Sequence, residues 1–269
     1  MNKGNEVITM GDAKKMIFFD IDGTLLDHNK ELPASTEKAI NDLHAAGHYI
    51  AIATGRAPFM FPELREKLGI HTFISFNGQY VKVGDEEILT NPLNDTELIR
   101  LTEAAVNNDH PLVYMDHLDM KANIPYHARI EESISLSLKF KHPAYDPSYL
   151  NGRDIYQALL FNTAEEMRPY KESFQKFDFV RWHEFSTDVV PKGGSKAKGI
   201  EAVMNHLGFA KEDVYAFGDG PNDIEMLDYV VNSVAMGNAG DALKKQASYV
   251  TKDVDDDGIL HGLKHFGLL

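Results

Sequence analysis

The sequence contains no cysteine, which excludes disulfides and thiolate metal sites and suits a reducing compartment such as the cytosol. Basic residues are also scarce: 27 Lys and Arg stand against 41 Asp and Glu, for a formal charge of -14. That balance leaves no broad cationic surface for a nucleic-acid backbone. Long hydrophobic runs are missing too. No segment approaches a membrane span, and the opening MNKGNEVITMGDAKK has no apolar stretch of the signal-peptide kind, so residues 1–14 read as a flexible leader. What remains is ordinary for a globular chain: 43% hydrophobic content over 269 residues can bury a sizeable core and leave room for a second module.

The run 15–20 (KMIFFD) is apolar nearly throughout, as expected of a strand buried on both faces of a parallel sheet. Ser35 is placed to cap a helix through Ala46, with Ala39, Ile40, Leu43 and Ala46 at helical spacing before Gly47 stops it. A second buried strand is expected at 48–54, then a helix at 58–68 and a strand at 72–76, the alternation of an α/β crossover fold. After Asn77 the pattern changes. QYVKV, Gly84-Asp85 and EEILT read as an antiparallel hairpin. A helix at 95–107, strands near 111–115 and 155–161 and a helix at 163–175 follow, and 117–150 gives no assignable pattern. From Ser195 the alternation resumes: helix 195–207, strand 214–218, helix 222–229, strand 231–235, helix 240–246 and a last helix after Gly258. A mixed module is thus inserted in an α/β core.

Four polar clusters fall at the ends of core strands or the start of a core helix: Asp20 to Thr24, Thr54-Gly55-Arg56, Lys196, and Gly218 to Asp223. That edge is where open parallel sheets place ligands. Asp20, Asp22, Asp219 and Asp223 would repel one another without a cation among them. Oxygen-only ligands select Mg²⁺ or Ca²⁺ over zinc, and Mg²⁺ commonly shares its shell with a substrate phosphate. Thr54, Lys196 and the N–H groups of the Gly-rich turns could surround phosphoryl oxygens.

These residues resemble the haloacid dehalogenase (HAD) superfamily, whose four motifs occur in order: DIDGT, a Thr ending the second strand, a Lys opening a later helix, and GDGPND. FNG at 76–78 and the position and length of the insert resemble the Cof-type branch, subfamily IIB, with a C2B cap. The resemblance implies a Rossmann-like parallel-sheet core over 15–80 and 186–269, with an α+β cap inserted over 81–185. It implies a Mg²⁺-dependent phosphatase acting on a small phosphorylated metabolite, such as a sugar phosphate, through an aspartyl-phosphate. Asp20 would be the nucleophile and Asp22 the general acid and base. Asp20 and Asp219 carboxylates and the Asp22 carbonyl would hold the metal, with Asp223 either supporting or ligating directly. Thr54 and Lys196 would hold the phosphoryl group, assisted by Gly23, Thr24, Gly55 and Asn222. Lys198 remains an alternative to Lys196, and Arg56 is as readily a structural ion-pair partner. Candidate selectors of the leaving group in the cap are Tyr114, Asp116, Arg129, Lys139 and Lys141, each more often surface than contact. Two other activities share these motifs: phosphotransfer or mutase chemistry, and non-catalytic binding of a phosphorylated ligand.

Four further patterns fail their own tests. Asp253 to Gly258 opens like a calcium loop but has Lys264 at the twelfth position, where a bidentate Glu is needed. His261 and His265 lack the Glu of HExxH. PKGGSK and GDGPND complete neither a P-loop nor a dinucleotide loop. Oligomeric state has no signature in the chain.

Overall fold

The apolar run that opens the core forms the strand Met16–Phe19, buried at all four positions. The computed structural model describes residues 14–269, which form two compact units: 14–51 with Leu207–Leu269, and Ile52–His206. The expected leader lies outside the described residues except for Lys14.

In the first unit the strand order is Tyr249–Val250, Asn232–Ala235, Val214–Gly218, Met16–Phe19 and then Tyr49–Ala53, whose last two residues pass into the second unit. The first four strands pair in parallel. Parallel pairing needs a long crossover, supplied by helices such as Ala34–Ala45 between the first two strands of the chain and Ile224–Tyr229 after Gly218. Helix Ala34–Ala45 starts after Pro33 with no side-chain cap, so Ser35 does not take the capping position the sequence suggests. The register sets Phe19 against Phe217 and Gly218 against Ala235, and the rings of Phe19 and Phe217 stack at 4.9 Å. The residues after these strands therefore emerge side by side at one edge.

In the second unit, Thr72–Ser75, Tyr80–Val83 and Glu86–Thr90 form an antiparallel meander, including the expected hairpin. A separate six-stranded sheet runs Phe177–His183, Ser186–Pro191, Gln157–Leu160, Leu112–Met115, Met120–Ala122, Ala144–Tyr145. One face of it, carrying Tyr114, Ala158 and Val189, packs with Leu98, Leu101 and Ala105 of helix Asp95–Asn107 and with Tyr170 of helix Arg168–Ser173. Asn94 caps the longer helix by accepting from the Glu97 N–H at 3.1 Å. Residues 186–191, which the sequence reading groups with the core, pair instead with Gln157–Leu160 in this sheet. Helices at 58–68 and 222–229 each begin with a 3₁₀ turn, and the one expected over 163–175 is confined to Arg168–Ser173.

Three successive residues, Phe76, Asn77 and Gly78, have positive φ. At Gly78, φ is +99° and an added Cβ would lie 2.0 Å from the Ser195 carbonyl oxygen, so both the backbone and the space demand glycine. Gly78→Ala is expected to destabilise the protein by about 3 kcal/mol or more in urea titrations. Gly84→Ala is the control: its φ is +58° but no atom of the described residues lies within 4 Å of the added Cβ, and only the backbone cost of about 1 kcal/mol should appear.

Candidate active site

Asp20 is the first residue past its strand. Its N–H donates to the Phe217 carbonyl at 3.0 Å and its own carbonyl accepts from Leu25 at 3.2 Å, so the turn after it is closed by backbone bonds; the residue is 6% exposed. Asp219 follows the paired strand, and Asp223 opens the next helix fully buried. One carboxylate oxygen from each of Asp20, Asp219 and Asp223 lies within 4.8 Å of the others. An oxygen-only trio this close suits a hard divalent cation, and without one the charges repel.

The surrounding loops hold the trio in place. Asp223 Oδ2 accepts from the N–H groups of Asp219 (3.0 Å) and Gly220 (2.9 Å). Thr24 Oγ1 donates to Asp219 Oδ1 at 3.0 Å. Gly23 has φ +79°, and a Cβ there would stand 2.3 Å from Asp219 Oδ2. Gly23 N–H donates to the Leu26 carbonyl at 2.9 Å and Thr24 N–H to that of Ile21 at 3.4 Å. These bonds shape the turn and seat Asp219. Asn222 is exposed and its Oδ1 lies beside Gly220.

Asp22 is not in the trio. Its Oδ1 accepts from Lys30 Nζ at 2.7 Å, an exposed pair formed by a lysine the sequence reading did not single out. A second group, His28, Asp253 and Asp255, lies within the same mutual distance but is largely exposed, with His28 Nε2 at 3.5 Å from Asp253 Oδ1. Asp253 itself caps the turn Val254–Asp256.

In the second unit, three distant segments meet. Thr54 is 1% exposed and its Oγ1 accepts from the Arg56 N–H at 3.1 Å. Asn77 N–H donates to the Thr54 carbonyl at 3.0 Å, and its side chain lies against Gly55. Gly78 in turn abuts Ser195 and the Lys196 backbone nitrogen. Lys196, the first residue of helix Lys196–Leu207, is fully buried, whereas Lys198 is exposed and donates to the Gly193 carbonyl.

Of the cap candidates, three have structural partners. Tyr114 is buried, with its hydroxyl 2.9 Å from Thr102 Oγ1. Asp116 accepts from Arg153 at 2.9 Å and Arg129 donates to Glu166 at 2.9 Å. Lys139 and Lys141 are exposed. A residue the sequence did not flag is Asp188, which pairs with Leu159, itself opposite Val113. Among these apolar neighbours, desolvation pushes its carboxyl from 3.8 up to about 7, against opposing hydrogen bonds from Trp182 and Gln157. Between those two values the folded chain keeps a proton that the unfolded chain has released, so this group's effect on stability turns unfavourable as pH rises. Asp188→Asn should therefore melt higher than wild type at pH 8 and alike at pH 4, as read by thermal melts across that range.

A family model described as haloacid dehalogenase-like hydrolase matches residues 17–263. YkrA of Bacillus subtilis, provisionally named a phosphatase, is 49% identical over 95% of this chain and 98% of its own. A crystal structure of a hypothetical protein from Geobacillus kaustophilus superposes with a TM-score of 0.93 at 54% identity, covering 96% of this chain and 100% of that one. The subclass IIB sugar phosphatase BT4131 superposes with a TM-score of 0.83 at 32% identity, covering 95% and 100%. No helix among the described residues is long and apolar enough to cross a membrane.

Proposed function

The chain belongs to the haloacid dehalogenase-like hydrolase family, and we propose that it hydrolyses a phosphomonoester of a sugar or similar small metabolite with Asp20 as nucleophile. The observation that carries this reading is the trio Asp20, Asp219 and Asp223 at the ends of adjacent strands and the helix start beyond them. We assign the segments that carry Asp20, Thr54, Lys196 and Asp219 to catalysis and the six-stranded sheet with its helices to the inserted cap, which selects the substrate. The cysteine-free sequence fits our placement of the activity in the cytosol.

Asp20 Oδ attacks phosphorus, forming an acyl-phosphate bond as the bond to the leaving alcohol oxygen breaks. Asp22 gives that oxygen its proton. The Asp22 carboxylate then takes a proton from water, whose oxygen attacks phosphorus and releases Asp20 and inorganic phosphate. Before either transfer, Asp22 must part from Lys30. Thr54 and Lys196 hold phosphoryl oxygens, and the burial of Lys196 favours it over Lys198 for that role. Asp20 and Asp219 would hold Mg²⁺ with Asp223 beside them, and the bound ion would neutralise the carboxylates and draw charge from the phosphoryl group.

The test is release of inorganic phosphate from p-nitrophenyl phosphate, then from phosphorylated sugars and polyols, with and without Mg²⁺. Equal yields of alcohol and phosphate are expected. Alcohol in excess of phosphate would indicate transfer to another acceptor, and silence toward every substrate at saturating Mg²⁺ would overturn the reading.

A further inference from the structure

Asn238 stands three residues beyond the strand Asn232–Ala235, in a position the backbone fixes closely. Met236 N–H donates to the Gly218 carbonyl at 2.9 Å, so pairing continues past the strand, and Gly237 N–H donates to the Lys252 carbonyl at 2.8 Å. A Cβ at Gly237 would lie 2.3 Å from the Asp253 nitrogen. The Asn238 side chain is thereby delivered to the trio. Its Oδ1 accepts from the Val254 N–H at 3.0 Å, which settles the orientation of the amide, since only the oxygen can accept there. The Nδ2 group must then face the other way, where it donates to the Gly23 carbonyl at 2.8 Å and to Asp219 Oδ2 at 3.3 Å.

The two oxygens of Asp219 are consequently gripped from opposite sides, Oδ1 by Thr24 and Oδ2 by Asn238. A carboxylate in a cluster of like charges tends to rotate away from its neighbours. Two donors on two different loops prevent that rotation, and each adds a charge-assisted hydrogen bond that offsets the repulsion. Through Val254, the same amide makes the turn Val254–Asp256 a brace for the site.

We propose that Asn238 is a positioning residue that holds the Asp219 carboxylate in its cation-binding orientation and ties the loop at 252–257 to it. The inference rests on the reading of Asp219 as a metal ligand. Outer partners that orient metal ligands are worth roughly 10- to 100-fold in affinity, and a loss of that order is expected here.

The experiment measures Mn²⁺ binding to the metal-stripped full chain by electron paramagnetic resonance, for wild type, Asn238→Ala and Asp219→Ala, with thermal melts of each. The expected result is a Kd raised about tenfold or more in Asn238→Ala, with KM for p-nitrophenyl phosphate at saturating metal little changed. Should Asn238→Ala fail to fold, Asn238→Ser, too short to reach Asp219, takes its place. An unchanged Mn²⁺ Kd with only a lowered melting temperature would reduce Asn238 to a loop strut and overturn the proposal. If Asp219→Ala also binds Mn²⁺ as wild type does, the metal site itself is wrong; if Asp219→Ala binds weakly and Asn238→Ala normally, only the role of Asn238 falls.

Discussion

Asp20→Asn is expected to lose about 10⁴-fold or more in kcat, the scale seen when a nucleophile is removed, with KM little altered. The substitution is nearly isosteric. The backbone bonds of Asp20 to Phe217 and Leu25 do not depend on its side chain, so the turn should survive. What disappears is the ionised oxygen that forms the bond to phosphorus, because an amide oxygen is too weak a nucleophile to replace it. A stability effect of opposite sign accompanies the loss. In metal-free protein one of three mutually repelling carboxylates becomes neutral, so the apo variant should melt above apo wild type. Activity within tenfold of wild type in a p-nitrophenyl phosphate assay would remove Asp20 from the mechanism.

Chelation is expected to have an effect of comparable size on the unmutated chain. EDTA should abolish phosphate release, and excess Mg²⁺ should restore it. The same ion should raise thermal stability, because it binds the folded arrangement of Asp20, Asp219 and Asp223 and not the unfolded chain. At a hundredfold excess over Kd the gain is about 2.7 kcal/mol, an upward shift of roughly 5–10 °C for a chain of this size. Asp219→Ala should lose most of that shift. A melting temperature indifferent to Mg²⁺ in wild type would mean that the trio does not bind it.

The parts of the fold legible in the sequence are those where local pattern and burial agree. Met16–Phe19 and Val214–Gly218 are continuous apolar runs because both faces are covered, and the acids that end them stand out by contrast. The antiparallel pair Tyr80–Val83 and Glu86–Thr90 was readable from its Gly-Asp turn. The stretch 117–150 resists because its elements are too short to show a period: Met120–Ala122, the π-helical Glu131–Ser137 and the two-residue Ala144–Tyr145. The hairpin Phe177–His183 to Ser186–Pro191 turns at Glu184-Phe185, with neither glycine nor asparagine to announce it. Its second strand therefore reads as the start of the core.

Legibility at the site follows the same logic. Charge at a strand end is visible in one dimension, so Asp20 and Asp219 could be proposed from the chain alone. Asn238 could not, because its significance comes from loops that meet only in three dimensions, 215 residues apart for Asn238 to Gly23; Lys30 lies in the same loop as Asp22, eight residues on, but no residue pattern there announces the pairing. Gly23 and Thr24 were legible as participants from DIDGT, and their bonds to Leu26, Ile21 and Asp219 add a part in shaping the turn that the motif alone does not spell out.

Gly23 and Gly218 also bear on how a saturation-mutagenesis map of this protein should be read. A methyl group on Gly23 would intrude to 2.3 Å from Asp219, and one on Gly218 to 2.6 Å from the carboxyl carbon of Asp223. Every substitution at either position should score as null, as severely as at Asp20, although neither glycine has a side chain to offer a substrate. A ranking of functional residues by intolerance alone would place them among the reacting groups, when what they contribute is the volume left for two carboxylates to occupy.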